Sequence, residues 1–145
     1  RSFRKHAPHL LSGGQKQRLA IAGVLAMFHR CLVLDEPTAM LDPRGCREVL
    51  ETIRKMNRRE GITVVHITHY MEEILEADRV LVMDKGKIVQ SGKPAEIFAG
   101  EINLEQLGLE TPTIPKLARI LRAGGLEVPS HVLNVHELVN FLGEK

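Results

Sequence analysis

The stretch Cys31-Leu-Val-Leu-Asp-Glu-Pro-Thr38 decides the fold class. It is an apolar run that ends in two carboxylates, a pattern typical of a central strand in a parallel sheet. A second apolar run at 62–67 is rich in β-branched residues and predicts a neighbouring strand. Between the two runs, Asp42-Pro43 predicts the start of a helix. The order strand, helix, strand indicates an α/β domain with a parallel sheet.

The composition is that of a globular protein and argues against several other classes. The 145 residues are 43% apolar and carry a formal net charge of +2. These values allow a hydrophobic core and give no strong field for binding nucleic acid. With no Trp and one Tyr, platforms for stacking bases are not expected. Two cysteines predict no disulfide framework, and no apolar run approaches the ~20 residues that span a bilayer.

The remaining pattern predicts a sheet domain followed by a small helical segment. Ser12 can cap a mostly buried helix that runs to about Phe28. The turn residues 84–86, between two apolar runs, predict a hairpin, and a short helix is predicted after it. The pattern then changes to two small amphipathic helices. We therefore predict one domain over 1–100 and a helical domain over 101–145.

Acidic and imidazole side chains follow the two predicted strands. Asp35 and Glu36 end the first strand, and His69 follows the second. In open α/β sheets ligands bind at the carboxyl ends of strands. One carboxylate there can hold Mg²⁺ while the other faces a water beside a phosphate, and a histidine can contact that phosphate. The alternatives are a strand that ends in a polar turn and a histidine that caps the following helix.

The residues around Ser12 predict an anion site. Ser12 as N-cap, followed by Gly13 and Gly14, exposes backbone N–H groups at the positive end of a helix dipole. Lys16 and Arg18 in the first turn are repelled by the positive end of that dipole. Their presence there favours a polyanion close to the helix start. The alternative is a plain capped helix.

Four motifs occur in order, namely Leu11-Ser-Gly-Gly-Gln15, Leu32-Val-Leu-Asp-Glu-Pro-Thr38, Met40-Leu-Asp42 and Thr68-His69. Together they resemble the signature motif, Walker B strand, D-loop and switch histidine of the ATP-binding cassette (ABC) ATPases. The finer pattern is similar to the ATP-binding subunits of energy-coupling-factor (ECF) transporters, and it includes Ala20-Ile-Ala-Gly-Val-Leu-Ala26 and Leu126-Glu-Val-Pro129. The resemblance covers nearly the whole chain.

This resemblance implies a role for each matching residue. Asp35 would hold Mg²⁺, Glu36 would act as general base on the attacking water, and His69 would contact the γ-phosphate. Asp42, which the sequence also predicts to cap a helix, would communicate across a dimer. The residues that would close over the γ-phosphate of ATP held by the opposite subunit are Ser12, Gly13, Gly14 and Gln15.

The phosphate-binding P-loop of this family, G-x-x-x-x-G-K-[ST], has no match in the chain. The two Gly-Lys pairs, at 86–87 and 92–93, are followed by Ile88 and Pro94. We therefore expect the C-terminal half of a P-loop NTPase fold with a helical appendage. We also expect the isolated 145-residue chain to be inactive and only marginally stable.

For the full-length subunit the resemblance implies hydrolysis of ATP, with Mg²⁺, coupled to uptake of a vitamin or a transition-metal ion. The implied partners are a second ATPase subunit, identical or related, a transmembrane coupling subunit and a substrate-binding membrane subunit. The implied location is the cytoplasmic face of the membrane, and the helical tail is expected to support dimerisation. Two alternatives stay open, a DNA-repair ATPase of the same superfamily and a non-catalytic interaction module.

Overall fold

The computed structural model describes residues 7–27, 29–100 and 103–143, so the predicted helix end at Phe28 lies outside the described residues. The chain divides into two compact units, unit 1 (Arg1–Thr68) and unit 2 (His69–Lys145). Each unit holds a two-stranded sheet. Among the described residues, no helix combines the length and the apolar character needed to cross a membrane.

Unit 1 has the predicted order of strand, helix and strand. Its elements are helix α1 (Gly13–Leu25), strand β1 (Cys31–Asp35), helix α2 (Pro43–Glu60) and strand β2 (Thr63–Ile67), after a 3₁₀ turn at Pro8–Leu10. The strands pair in parallel with Asp35 opposite Ile67, and α2 forms the crossover that parallel pairing requires. Asp42 caps α2, and Gly61, with a φ of 66°, ends it in the left-handed conformation. The α/β prediction is confirmed.

The core of unit 1 lies on one face of this sheet. Along β1 the side chains alternate, with Leu32 and Leu34 buried and Val33 62% exposed, because successive residues of a strand point to opposite faces. The buried cluster consists of Ile21, Leu32, Leu34, Val49, Ile53 and Ile62.

The predicted burial of α1 is wrong. Leu19 is 51% exposed, and among the described side chains of α1 Ile21 is the one in the buried cluster. Val33, Val65 and Ile67 on the strands are exposed as well. The physical reason is that the described residues of unit 1 pack on one side of the sheet.

Unit 2 contains the predicted hairpin. Strands β3 (Val80–Asp84) and β4 (Lys87–Gly92) pair antiparallel, and the two residues between them, Lys85 and Gly86, have φ values of 47° and 75°. Two left-handed residues are what a two-residue turn needs to match the twist of its strands. A 3₁₀ helix, Met71–Ile74, precedes the hairpin.

The rest of unit 2 is helical. Helix α3 (Pro94–Ala99), the 3₁₀ helix Leu104–Leu107, helix α4 (Thr113–Ala123) and helix α5 (Val135–Gly143) follow the hairpin. Helices α4 and α5 enclose a small core of Ala118, Val128, Val132 and Leu138. Leu104 belongs instead to the hairpin core, with Ile97 and Phe98, so the segment after residue 100 is packed onto the hairpin. A separate domain over 101–145 stays a prediction.

The hairpin core predicts how unit 2 responds to truncation. Ile97 is 1% exposed, so Ile97→Ala leaves a cavity and should lower the free energy of unfolding by about 2–5 kcal/mol. Ile120 on α4 is 59% exposed, so Ile120→Ala should change it by less than about 0.5 kcal/mol. Urea titrations followed by circular dichroism measure both values. Equal losses in the two variants would contradict the assignment of this core.

Candidate functional site

The carboxyl end of β1 carries the two predicted carboxylates. The backbone N–H of Glu36 donates to the Ile67 carbonyl at 2.9 Å, so the parallel pairing continues one residue beyond Asp35. Glu36 then turns the chain with a φ of 43°, a left-handed conformation that costs a non-glycine residue about 1–3 kcal/mol. Asp35 and Glu36 are both exposed at this edge, and their carboxylates are therefore accessible to a ligand.

The turn after β1 is held by backbone and side-chain hydrogen bonds. The Ala39 N–H donates to the Glu36 carbonyl at 3.2 Å, and the Leu41 N–H donates to the Thr38 carbonyl at 3.0 Å. From α1, the Gln17 side-chain amide donates to the Glu36 carbonyl at 3.2 Å and also to the Pro37 carbonyl. Sequence reasoning missed Gln17, because no local spacing shows a contact across 19 residues.

The start of α1 is a capping box. The Gln15 N–H donates to Ser12 Oγ at 3.3 Å, and the Ser12 N–H donates to Gln15 Oε1 at 3.0 Å. This confirms Ser12 as the N-cap and shows that Gln15 takes part in the cap.

The capping box leaves a set of hydrogen-bond donors at the helix start. The Ser12 hydroxyl accepts from the backbone and keeps its O–H, and Gln15 keeps its side-chain NH₂. Within the described part of the chain, no group accepts from the amides of Gly13 or Gly14. Donors without competing acceptors suit an anion, so this donor set fits a phosphate group.

The start of α1 packs on the loop that leads to α2. A Cβ on Gly14 would lie 3.1 Å from the Met40 carbonyl oxygen and 3.1 Å from Leu41 Cδ2. A side chain here would require these neighbours to shift by a few tenths of an ångström, so a glycine favours the close approach. The next residue, Asp42, caps α2 by accepting from the Gly45 N–H at 2.9 Å. The structure thus brings together two motifs that lie almost thirty residues apart in the sequence.

The basic residues of α1 are arranged differently from the prediction. Arg18 lies 3.6 Å from a carboxylate oxygen of Glu48, and the other oxygen of Glu48 accepts from Arg44 at 3.0 Å. Arg18 thus pairs with α2, and Lys16 is exposed. Surface pairs of this kind contribute about 0–1 kcal/mol, and the predicted anion site therefore depends on the donor set of the capping box.

His69 is the first residue of unit 2 and follows the end of β2 by two residues. Its ring lies 4.1 Å from that of Tyr70, measured between centroids. A site shared by His69 and the carboxylates of unit 1 stays a prediction.

The predicted magnesium site has one protein ligand, Asp35. Among the residues that the structure describes, no group of three or more His, Cys, Asp or Glu side chains is placed to hold a metal ion. Mg²⁺ commonly binds one or two carboxylates and completes its shell with phosphate oxygens and water. A single exposed carboxylate therefore fits Mg²⁺ that arrives with a nucleotide.

A surface depression elsewhere in unit 1 does not coincide with these groups. It lies at the amino ends of β1 and β2, the opposite edge of the sheet from Asp35. Ligands of open α/β sheets bind at the carboxyl ends, so we do not assign the site to it. The residues that line it are His29, Arg30, Glu60, Gly61, Ile62 and Thr63.

Comparison with known sequences identifies relatives of the whole chain. The family model described as ABC transporter matches residues 1–39. The chain is 54% identical over 140 residues to the energy-coupling factor transporter ATP-binding protein EcfA1 of Caldanaerobacter subterraneus, covering 97% of this chain and 50% of the relative. It is 55% identical to the protein of that name from Clostridium novyi, with the same coverage. The chain spans about half the length of the curated relatives it matches.

Solved structures show the same similarity in three dimensions. The dimeric, post-hydrolysis ATP-binding cassette MJ0796, bound to ADP and Pi, superposes with a TM-score of 0.61 and 33% identity, covering 64% of this chain and 40% of that one. A bacterial Atm1-family ABC exporter with ATP bound gives a TM-score of 0.62 and 31% identity, covering 68% of this chain and 17% of that one. The chain thus has part of the ATP-binding cassette fold and is similar to the ECF transporter ATP-binding proteins over half of their length.

Proposed function

We propose that the chain supplies the signature helix, the acidic strand end and the D-loop of an ECF-type transporter ATPase. The full subunit hydrolyses ATP to drive uptake of a vitamin or a transition-metal ion. One observation carries this proposal: the donor-only start of α1 packs on the loop before Asp42, while Gln17 of the same helix touches the turn of Glu36. The start of α1 and the turn of Glu36, both proposed to act on phosphate, thus lie at one edge of unit 1.

The proposed chemistry divides between the two carboxylates. Asp35, exposed on the open face of β1, would hold Mg²⁺, which offsets negative charge on the phosphates when it is bound. Glu36, displaced from the strand by its left-handed turn, would accept the proton of the attacking water. His69 would donate a hydrogen bond to the γ-phosphate.

The start of α1 would act on a nucleotide held by another subunit. Its donors, from Ser12 to Gln15, are suited to contact a γ-phosphate, and Asp42 lies at the end of the loop that they touch. Such a composite site needs a dimer, with either an identical or a related ATPase subunit. The dimeric state of the similar cassette supports this arrangement.

The proposed assembly includes membrane components. The curated relatives are named as ATP-binding proteins of ECF transporters, which supports a transmembrane coupling subunit and a substrate-binding membrane subunit as partners. The location that follows is the cytoplasmic face of the membrane. An assay of ATP hydrolysis distinguishes the proposed ATPase from a non-catalytic interaction module.

Glu36→Gln should abolish ATP hydrolysis. The assay uses a chimera in which this chain replaces the matching half of the Caldanaerobacter relative, assembled with the membrane subunits of that transporter. Loss of the general base should lower kcat by about 100-fold or more. Glu51 on α2 is exposed and pairs with Lys55 at 3.6 Å, so Glu51→Gln is the control and should keep full activity. An inactive unmutated chimera would favour the interaction module.

Gly14→Ala should weaken ATP-dependent dimerisation. Its Cβ would meet the Met40 carbonyl oxygen at 3.1 Å, so the loop before Asp42 must shift. Gly23→Ala is the control, because a Cβ there meets nothing within 4 Å and alanine favours the helix by about 1 kcal/mol. The dimer fraction is measured by light scattering in the Glu36→Gln background, in which bound ATP is retained. Equal dimerisation by both variants would contradict the proposed contact.

Helix α5 carries the features expected of a dimerisation surface. Val135, Val139 and Leu142 are exposed and recur at intervals of four and three residues, which places them on one side of the helix. Val139→Glu should weaken nucleotide-independent self-association of the chimera in analytical ultracentrifugation. Asn140→Glu adds the same charge at a neighbouring exposed polar position and should have little effect. Unchanged association of Val139→Glu would exclude α5 from the interface.

A further inference from the structure

Gln17 links α1 to the turn after β1 across 19 and 20 residues of sequence. Its side-chain NH₂ donates one hydrogen bond to the Glu36 carbonyl, at 3.2 Å, and another to the Pro37 carbonyl. A primary amide has two N–H groups, so one nitrogen can serve both acceptors. The orientation of the amide is fixed by its partners, because the reverse orientation would place its oxygen against two carbonyl oxygens.

This contact is kept despite two local costs. Gln17 Oε1 is buried, and no described residue donates to it, which disfavours burial of the amide. Glu36, on the other side of the contact, holds a left-handed φ of 43°, which is strained for a residue with a Cβ. Such costs persist where the surrounding groups determine the conformation, and they are concentrated at functional sites.

We propose that Gln17 is the positioning residue that holds the turn of Glu36 and couples it to α1. This inference rests on the proposed function. The start of α1 would contact ATP held by the opposite subunit, while Glu36 would serve the ATP of its own subunit. Gln17 lies five residues after Ser12, the N-cap of the same helix. A shift of α1 when two subunits close around ATP would therefore move the amide that holds the Glu36 turn. The two nucleotide sites of a dimer are then linked through one side chain.

The test compares substitutions of similar size in the chimera. Gln17→Met keeps the length of the side chain and removes both donors. It should lower kcat roughly tenfold, the fold-change that corresponds to the net loss of a hydrogen bond or two. The KM for ATP should stay within about twofold, since Gln17 does not contact the nucleotide. Gln17→Lys, which restores an N–H donor on a flexible side chain, should recover part of the rate.

Two controls separate positioning from stability. Ile53→Val removes one methylene from the core of unit 1, where Ile53 is 5% exposed, and should lower stability without changing kcat. In the Glu36→Gln background, Gln17→Met should cause no further loss, because its effect acts through Glu36. A full tenfold loss in that background, or an equal loss in Ile53→Val, would overturn the proposal.

Amide exchange measures the turn independently of activity. The Glu36 N–H is bonded to the Ile67 carbonyl and the Ala39 N–H to the Glu36 carbonyl, so both should exchange faster in Gln17→Met than in Ile53→Val. If the unmutated chimera is inactive, the proposed function fails while this measurement still decides whether Gln17 holds the turn. If the chimera is active and exchange is equal in the two variants, the positioning role is overturned and the proposed function stands.

Discussion

The hydrogen bond from the Glu36 N–H to the Ile67 carbonyl, at 2.9 Å, determines where the groups of unit 1 can act. It extends the parallel pairing past Asp35 and fixes the residue from which the chain leaves the sheet. Because Glu36 then turns with a positive φ, neighbouring carboxylates leave the strand in different environments, one on the open face and one at the head of a turn. A strand that continued straight would place them on opposite faces of the sheet.

The loop that follows depends on this turn. Thr38 is buried, and its backbone carbonyl accepts a hydrogen bond from the Leu41 N–H at 3.0 Å. This hydrogen bond turns the chain toward the cap of α2. That path carries the Met40 carbonyl against Gly14, a position where a side chain would meet backbone. The glycine therefore has two functions in one place: it leaves an amide at the helix start and it lets the D-loop approach. A change in either element therefore affects the other through this contact.

Much of this could be read from the sequence because the signals are local. The capping positions Ser12 and Asp42, the left-handed end of α2 at Gly61 and the hairpin turn at 85–86 follow from residue types at fixed offsets. Burial could not be read in the same way. The apolar residues of α1 predict a buried helix, but Leu19 is half exposed, since burial depends on what packs against a face. Gln17 could not be identified from the sequence either, because its acceptors are backbone carbonyls, which every residue has.

Gln17 holds Glu36, the proposed general base, through the backbone of that residue. A carboxylate that accepts a proton from water must keep its oxygens available, so bonds that fix its direction compete with its chemistry. Holding the Glu36 carbonyl from α1, and its N–H from β2, fixes the backbone on two sides. Because one of these restraints belongs to the helix that begins at Ser12, the direction of the base depends on the position of that helix. Within unit 1, the proposed general base and the proposed phosphate-binding helix start are therefore connected through Gln17.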